Sequence, residues 1–361
     1  MLGFGADKYV PILLTKRGER RALESLDPVI GDEVRPLLVV HEADWDYDLG
    51  QPKKSLDEHL SALPSDLAGS WKRPAFIDMN DLGDGPLASG VHPLSWFHGE
   101  AASQGLELTP VVSTISTDPY LDAAQGLVAD GSDVCVRLAV DEWPAGAGPA
   151  DIDELLAHLG TSPAECHLVL DMRDDVGAAA ARLALAELRT LPYLNDWRSL
   201  TVASTAIPES MPPGSGLHVL PRHDWRIYAA LRSGAVAPPL PRQPTFGDYA
   251  VNGASLGVDI NPAVMQISAT LRYTTDNEWL VAKGGLFKAH GGKSQGGMAV
   301  PPAASLLVSH PSYEAGHCAF EDWLAPVAAG QSGSNPEAWR RYATHHHITK
   351  TVPQIASLGA P

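Results

Sequence analysis

Eight short apolar runs, each finishing on a polar residue, constrain this chain more than any other feature. In order they are YVPILLTK ending at Lys16, RPLLVVHE at Glu42, PAFID at Asp78, LTPVVS at Ser113, DVCVR at Arg137, CHLVLD at Asp171, LTVAS at Ser204 and TFGD at Asp248. Runs this short and this apolar suit strands buried on both faces, as in a parallel sheet. Most of the segments between them are long enough for a helix, which implies repeated strand–helix units with right-handed crossovers. An open doubly wound sheet and a closed barrel both satisfy that pattern. Eight strand candidates, and no glycine-rich fingerprint after the first, favour the barrel. A barrel gathers the C-terminal ends of its strands at one mouth, so the distant run ends would meet there.

The connections carry helical signals. Ala22, Leu23, Leu26 and Val29 fall near one helical face, and Leu56, Leu60 and Leu63 repeat at helical spacing. Asp151 and Glu154 resemble a capping box that opens a helix closed by Gly160. DVGAAAARLALAELRTL is rich in the strongest helix formers. The seventh connection is long; GLHVLPRHDWRIYAAL reads as a short extended piece followed by a helix. From about Asn261 the texture changes to two strands joined by a turn at Thr275, Asp276 and Asn277. A glycine-rich stretch follows, then a final helix with a break at Pro353. The expected fold class is α/β: a distorted (β/α)8 TIM-like barrel over residues 1–260. An appended C-terminal β-containing subdomain over residues 261–361, a β-hairpin with a helical extension, would pack on it.

Composition limits the function classes. The chain has 361 residues and a net charge of −17, which repels nucleic-acid phosphate at long range and argues against direct nucleic-acid binding. Cys135, Cys166 and Cys318 are far apart with no CxxC pair, as expected of reduced thiols in the cytoplasm. The apolar run Val10 to Leu14 is too short for a signal peptide, and no stretch reaches the length of a membrane span. A soluble, cytoplasmic protein is expected.

The mouth set mixes charges. Asp78, Asp171 and Asp248 are the candidate acid–base groups; Lys16, Glu42, Arg137, Arg222 and Tyr249 are candidate ligand-binding residues. Opposed charges in a water-restricted pocket suit a small anionic or zwitterionic ligand, or else close the barrel top as ion pairs. If they form a binding site, substituting Asp171 or Arg137 would remove binding and spare stability. In Arg222-His223-Asp224-Trp225, Asp224 and Trp225 suit a helix start, while Arg222 would enter the mouth. His345, His346 and His347 are consecutive, so on a helix they point apart and cannot all grip one ion; no metal site is expected. His290-Gly291-Gly292-Lys293-Ser294 ends like a phosphate loop, but Phe287 occupies the place of its first glycine, which excludes a Walker motif. Ser113 and Ser204 lack a GxSxG elbow. No motif names a cofactor.

Six phrases in order, YVPILLTKRGERRAL, WRSLTVAST, PRHDW, TFGDY, LRYTTDNEWLVAKG and WRRYATHHHIT, resemble the phage and prophage beta protein family from about Tyr9 to Ile348. One member of that family is the beta component of the gop–beta–cII module, associated with anti-phage defence. The resemblance implies a role in phage–host conflict, and it supplies no catalytic residue. Two classes of function stay open. One is an enzyme acting on a small phosphate- or carboxylate-bearing ligand such as a nucleotide. The other is a non-catalytic defence component that binds a toxin or phage protein.

Overall fold

The computed structural model describes residues 4–143, 149–232, 240–256, 265–289 and 293–358. All eight runs form strands: β1 (Tyr9–Leu14), β2 (Leu37–Val39), β3 (Ala75–Asp78), β4 (Leu108–Val112), β5 (Val134–Ala139), β6 (Cys166–Asp171), β7 (Ser199–Ser204) and, after an excursion, β9 (Thr245–Asp248). They close into a barrel in chain order, every pairing parallel, with β9 returning to β1. The open-sheet alternative is excluded.

Strand alternation divides the walls. Val10, Ile12, Leu14, Leu37, Val39, Phe76, Val111, Cys135, Val169, Ala203 and Tyr249 share one buried cluster, the barrel interior. Their neighbours of opposite parity, among them Tyr9, Leu13, Leu38, Ile77, Val136, Leu168 and Phe246, pack outward against the helices. Gly247 belongs to the inward set. A Cβ there would stand 2.9 Å from the Ala203 Cβ and 3.0 Å from the Thr201 Cγ2, so this wall fits only glycine. The N-terminal end of the barrel holds a polar plug: the Arg35 guanidinium donates to Thr109 Oγ1 at 2.7 Å and lies over the Phe76 ring, and His167 Nδ1 contacts Ser199 Oγ at 2.7 Å.

Local chemistry revises several helix expectations. The first helix stops at Glu24, and Asp27 caps a new turn at Pro28–Gly31, leaving Val29 73% exposed rather than on a buried face. Leu56 and Leu63 lie on separate helices, Leu56–Leu60 and Leu63–Ser70; a Ser55–Glu58 capping box starts the former. Asp151 lies inside a helix that already begins at Pro149, so it is not the cap; Gly160, at φ +66°, does end that helix. The alanine-rich segment is helical over Ala178–Thr190.

The hairpin forms as expected, β10 (Ile267–Thr274) against β11 (Glu278–Lys288), with Thr275 bonded to Glu278 across the turn. Its third strand comes from the long seventh connection: β8 (Gly216–Pro221) pairs antiparallel with β11. This sheet therefore recruits residues from both sides of the boundary expected at 260/261, which itself lies outside the described residues, as do His290, Gly291 and Gly292. The last helix, Pro336–Ser357, runs through Pro353 without a break. It contributes Ile348, Val352 and Ile355 to the core around the barrel, and Trp339 and Ala343 to the core under the three-stranded sheet. No helix among the described residues is long and apolar enough to cross a membrane.

Candidate functional site

Inward parity at the strand C-termini sets Asp78, Arg137, Asp171 and Tyr249 on the floor of one cavity of about 520 Å³. The Arg137 guanidinium is clamped there. It donates from Nη1 to Asp78 Oδ2 at 2.8 Å, from Nε and Nη2 to Asp171 Oδ2 at 3.0 and 2.7 Å, and from Nη2 to the Tyr249 hydroxyl at 2.9 Å. The Tyr249 hydroxyl donates to Asp171 Oδ2 at 2.5 Å. Burial opposes the Arg137 charge, but Asp171, Tyr249 and Asp78 outweigh it and hold the guanidinium firmly protonated. Burial, and then the negative Asp171, push the Tyr249 phenol far up, so it remains a donor. Each carboxylate is tied down further: Asp171 Oδ1 accepts from the Arg173 amide at 2.9 Å, and Asp78 Oδ1 accepts from the Asn80 amide and side chain at 3.1 and 2.8 Å.

The walls are acidic. Asp81, Asp84 and Asp174 come from the loops after β3 and β6, Glu142 from the turn after β5, and Glu209 from the loop after β7. With Asp78 and Asp171, seven carboxylates face two guanidiniums, Arg137 and Arg173. Glu142 is already engaged by the Thr114 hydroxyl at 2.9 Å. The Asp81 carboxyl is pushed up by partial desolvation and then by the Asp78 charge, the direction that suits a proton carrier. Arg173, Ala250 and Leu256 hold φ of 52°, 48° and 51°, a left-handed backbone that non-glycine residues rarely adopt. Arg173 and Leu256 line the cavity, so two strained residues stand at the mouth, and Ala250 follows Tyr249 in the outer core.

The other expected mouth residues lie elsewhere. Lys16 lines a separate cavity of about 320 Å³ with Arg17, Arg20, His41 and Lys54. Burial and then Arg340 pull its ammonium pKa down. Glu42 does not line the cavity around Arg137. Asp248 points outward: its Oδ1 accepts from the Tyr9 hydroxyl at 2.5 Å and its Oδ2 from His347 Nε2 at 2.7 Å, all fully buried. Arg222 is also fully buried outside the mouth. It donates to the Thr275 carbonyl and to Gln354, and lies over the Trp225 and Trp279 rings. Asp248 joins the barrel to the C-terminal helix because of parity: Tyr249, not Asp248, is the inward residue at the end of β9. Arg222 follows β8, which pairs in the outer sheet and not in the barrel. The acidic wall residues escaped sequence reasoning because they stand in loops without periodicity.

A family model described as Beta protein matches residues 9–353. Two similar solved structures are of tryptophan synthase from the hyperthermophile Pyrococcus furiosus. A mutant alpha-subunit is 10% identical with a TM-score of 0.38; the α2β2 complex is 11% identical with a TM-score of 0.37. Each covers 69% of this chain and 90% of that chain. The barrel assignment rests on the strand pairing rather than on these scores. No curated protein matches the chain.

Proposed function

This chain belongs to the Beta protein family, and from that premise we propose a component of phage–host conflict whose barrel mouth binds a small ligand carrying positive charge. The observation that supports this is the cavity wall, seven carboxylates against two guanidiniums, one of them already paired with two acids. Such a wall repels a bare phosphate or carboxylate, so a nucleotide would enter only with a divalent cation to offset its charge. The mutually bonded Arg137, Asp171 and Tyr249 supply a rigid polar floor, and Asp81 serves as proton acceptor or donor where a reaction occurs. Barrels of this class place their sites on this face.

A second reading keeps the anionic ligand but moves it. The cavity lined by Lys16, Arg17, Arg20 and Lys54, with Glu58 and Asp66, is the cation-rich one, although Arg20 is already paired with Asp66 and Arg17 with Glu337.

Native mass spectrometry of the purified protein, followed by calorimetric titration of any co-purified molecule, tests both. Binding that weakens with salt and with Glu209→Gln supports the mouth. Binding of an anion that is indifferent to Glu209→Gln and lost in Lys54→Gln supports the second cavity and overturns the first reading.

A further inference from the structure

The geometry points to a divalent-metal site of zinc type, separate from the mouth, built from Cys318, Glu321 and His346. Cys318 and Glu321 stand at the start of the helix Ala319–Ala328, and His346 reaches them from the helix Pro336–Ser357. One ligand atom from each, Sγ, a carboxylate oxygen and an imidazole nitrogen, lies within 4.8 Å of the others. Glu321 and His346 are fully buried, while Cys318 is partly exposed.

The hydrogen bonding leaves one ligand atom of each residue beside the other two. His346 Nε2 lies 2.9 Å from the Thr274 carbonyl oxygen, which can only accept, so Nε2 carries the proton. In the neutral ring Nδ1 is then a bare lone pair. It faces Glu321 Oε1 at 2.9 Å and Cys318 Sγ at 3.7 Å. The other Glu321 oxygen, Oε2, accepts from the Cys318 amide at 2.8 Å, while buried Oε1 finds no hydrogen-bond partner. Two lone pairs at 2.9 Å repel each other, so either a second ring proton, making an ion pair, or a metal cation must lie between them. The outer half of a metal-bound histidine's arrangement, one ring nitrogen donating to a backbone carbonyl while the other is left for a metal, is met here. Tetrahedral zinc sets nitrogen and sulfur ligands roughly 3.6 Å apart and nitrogen and oxygen roughly 3.3 Å apart. The His346–Glu321 pair must open by a few tenths of an ångström to meet that geometry. The partly exposed side at Cys318 leaves the fourth position to water, beside His317, whose buried Nε2 also lacks a partner. His345 and His347 face other neighbours, the Ser25 carbonyl and Asp248. The histidine run thus does not bind as a unit; its middle member does, with partners distant in sequence.

The full chain, stripped with chelator and titrated with Co2+, tests the site. The expected result is one equivalent of cobalt with a thiolate-to-metal charge-transfer band, competed away by Zn2+. Cys318→Ser should lose the band, and Glu321→Gln should weaken Co2+ binding at least tenfold, with both variants keeping the wild-type circular dichroism. Cys135 and Cys166 are fully buried and remain in Cys318→Ser, so a band that survives that substitution overturns the assignment. So does wild-type protein that shows no band, which identifies the cluster as a His346–Glu321 ion pair. Should either variant fail to fold, zinc content of the folded wild-type protein decides, with less than a tenth of an equivalent overturning the site.

Discussion

Asp248 and Tyr249 are chain neighbours that serve opposite sides of the barrel wall. The Tyr249 hydroxyl donates to Asp171 in the mouth, while Asp248 accepts from Tyr9 and His347 in the seam with the C-terminal helix. One strand end therefore couples the candidate site to the element that holds the second core in place.

Asp248→Asn is expected to lower stability by about 2–4 kcal/mol, because the new amide turns a donor toward His347 Nε2 and leaves it unpaired in a buried site. Burial works against the Asp248 carboxylate, but His347 and Tyr9 outweigh it and hold its pKa below the ordinary value. That share of stability is present above the unfolded carboxylate pKa, near 4, and is lost as pH falls through the folded one. Urea unfolding at pH 7 measures the loss; a change under about 0.5 kcal/mol contradicts the seam role.

Arg137→Ala should cost about 3–5 kcal/mol, since it strands Asp171, whose side chain is 0% exposed, beside Asp78 without a counter-charge. The expectation that such a substitution spares stability does not survive this geometry. Asp78→Asn should cost less, because its 8% exposure and two Asn80 bonds remain. Thermal unfolding of the two variants checks the order.

The barrel was legible because each strand is a buried run, and burial on both faces leaves an unbroken apolar signature. The site was half legible. Asp78, Arg137, Asp171 and Tyr249 fall on the inward parity, but a run's last polar residue does not announce its own parity. Within TFGDY the small Thr245 and Gly247 share phase with Tyr249, and bulky Phe246 shares phase with Asp248. That contrast was the available signal. Arg222 looked like a mouth residue because it follows an apolar run, yet that run is β8, which joins the outer sheet. Cys318 and His346 are separated by 28 positions and meet only through helix packing, which no local pattern encodes.

Rim substitutions should separate binding from folding. Glu209 is exposed at the cavity edge, so Glu209→Gln should change stability by less than about 0.5 kcal/mol. Its loss should weaken a cationic ligand about fivefold, the order expected for one half-solvated charge. Calorimetry at two salt concentrations distinguishes this from a non-electrostatic contact, which salt would leave unchanged.

Acidification from pH 7 to pH 5 should destabilise the protein through His167. Burial, then the Arg35 and Arg198 charges, pull its pKa down to about 2. An unfolded histidine titrates near 6.5, so between these values the unfolded chain binds the extra proton and stability rises with pH. At pH 5 the cost from this one residue is about 2 kcal/mol. His41, pulled down to about 4 by burial and then by Lys16, adds a loss of the same sign. His167→Asn should flatten the fall in urea midpoint between pH 7 and pH 5. An unchanged slope would show that His167 does not carry it.

Removal of the last helix should unfold both cores at once. The Pro336–Ser357 helix places Ile348, Val352 and Ile355 against the barrel's outer core, and Trp339 and Ala343 against the core under β10 and β11. It also supplies His347 to Asp248 and Gln354 to Arg222, so a chain ending at residue 335 loses a partner of each. The barrel would expose apolar surface across β1 and the first helix, and the three-stranded sheet would lose the element bracing it. Each buried aliphatic side chain removed costs roughly 1.5–3 kcal/mol of burial. Three of them, with Trp339, approach the whole stability of an ordinary domain, about 5–15 kcal/mol. Residues 1–335 should therefore show no cooperative thermal transition, and limited proteolysis of the full chain should not yield a folded fragment ending near residue 260. Recovery of such a fragment with a sharp transition would mean that the barrel folds without its C-terminal brace.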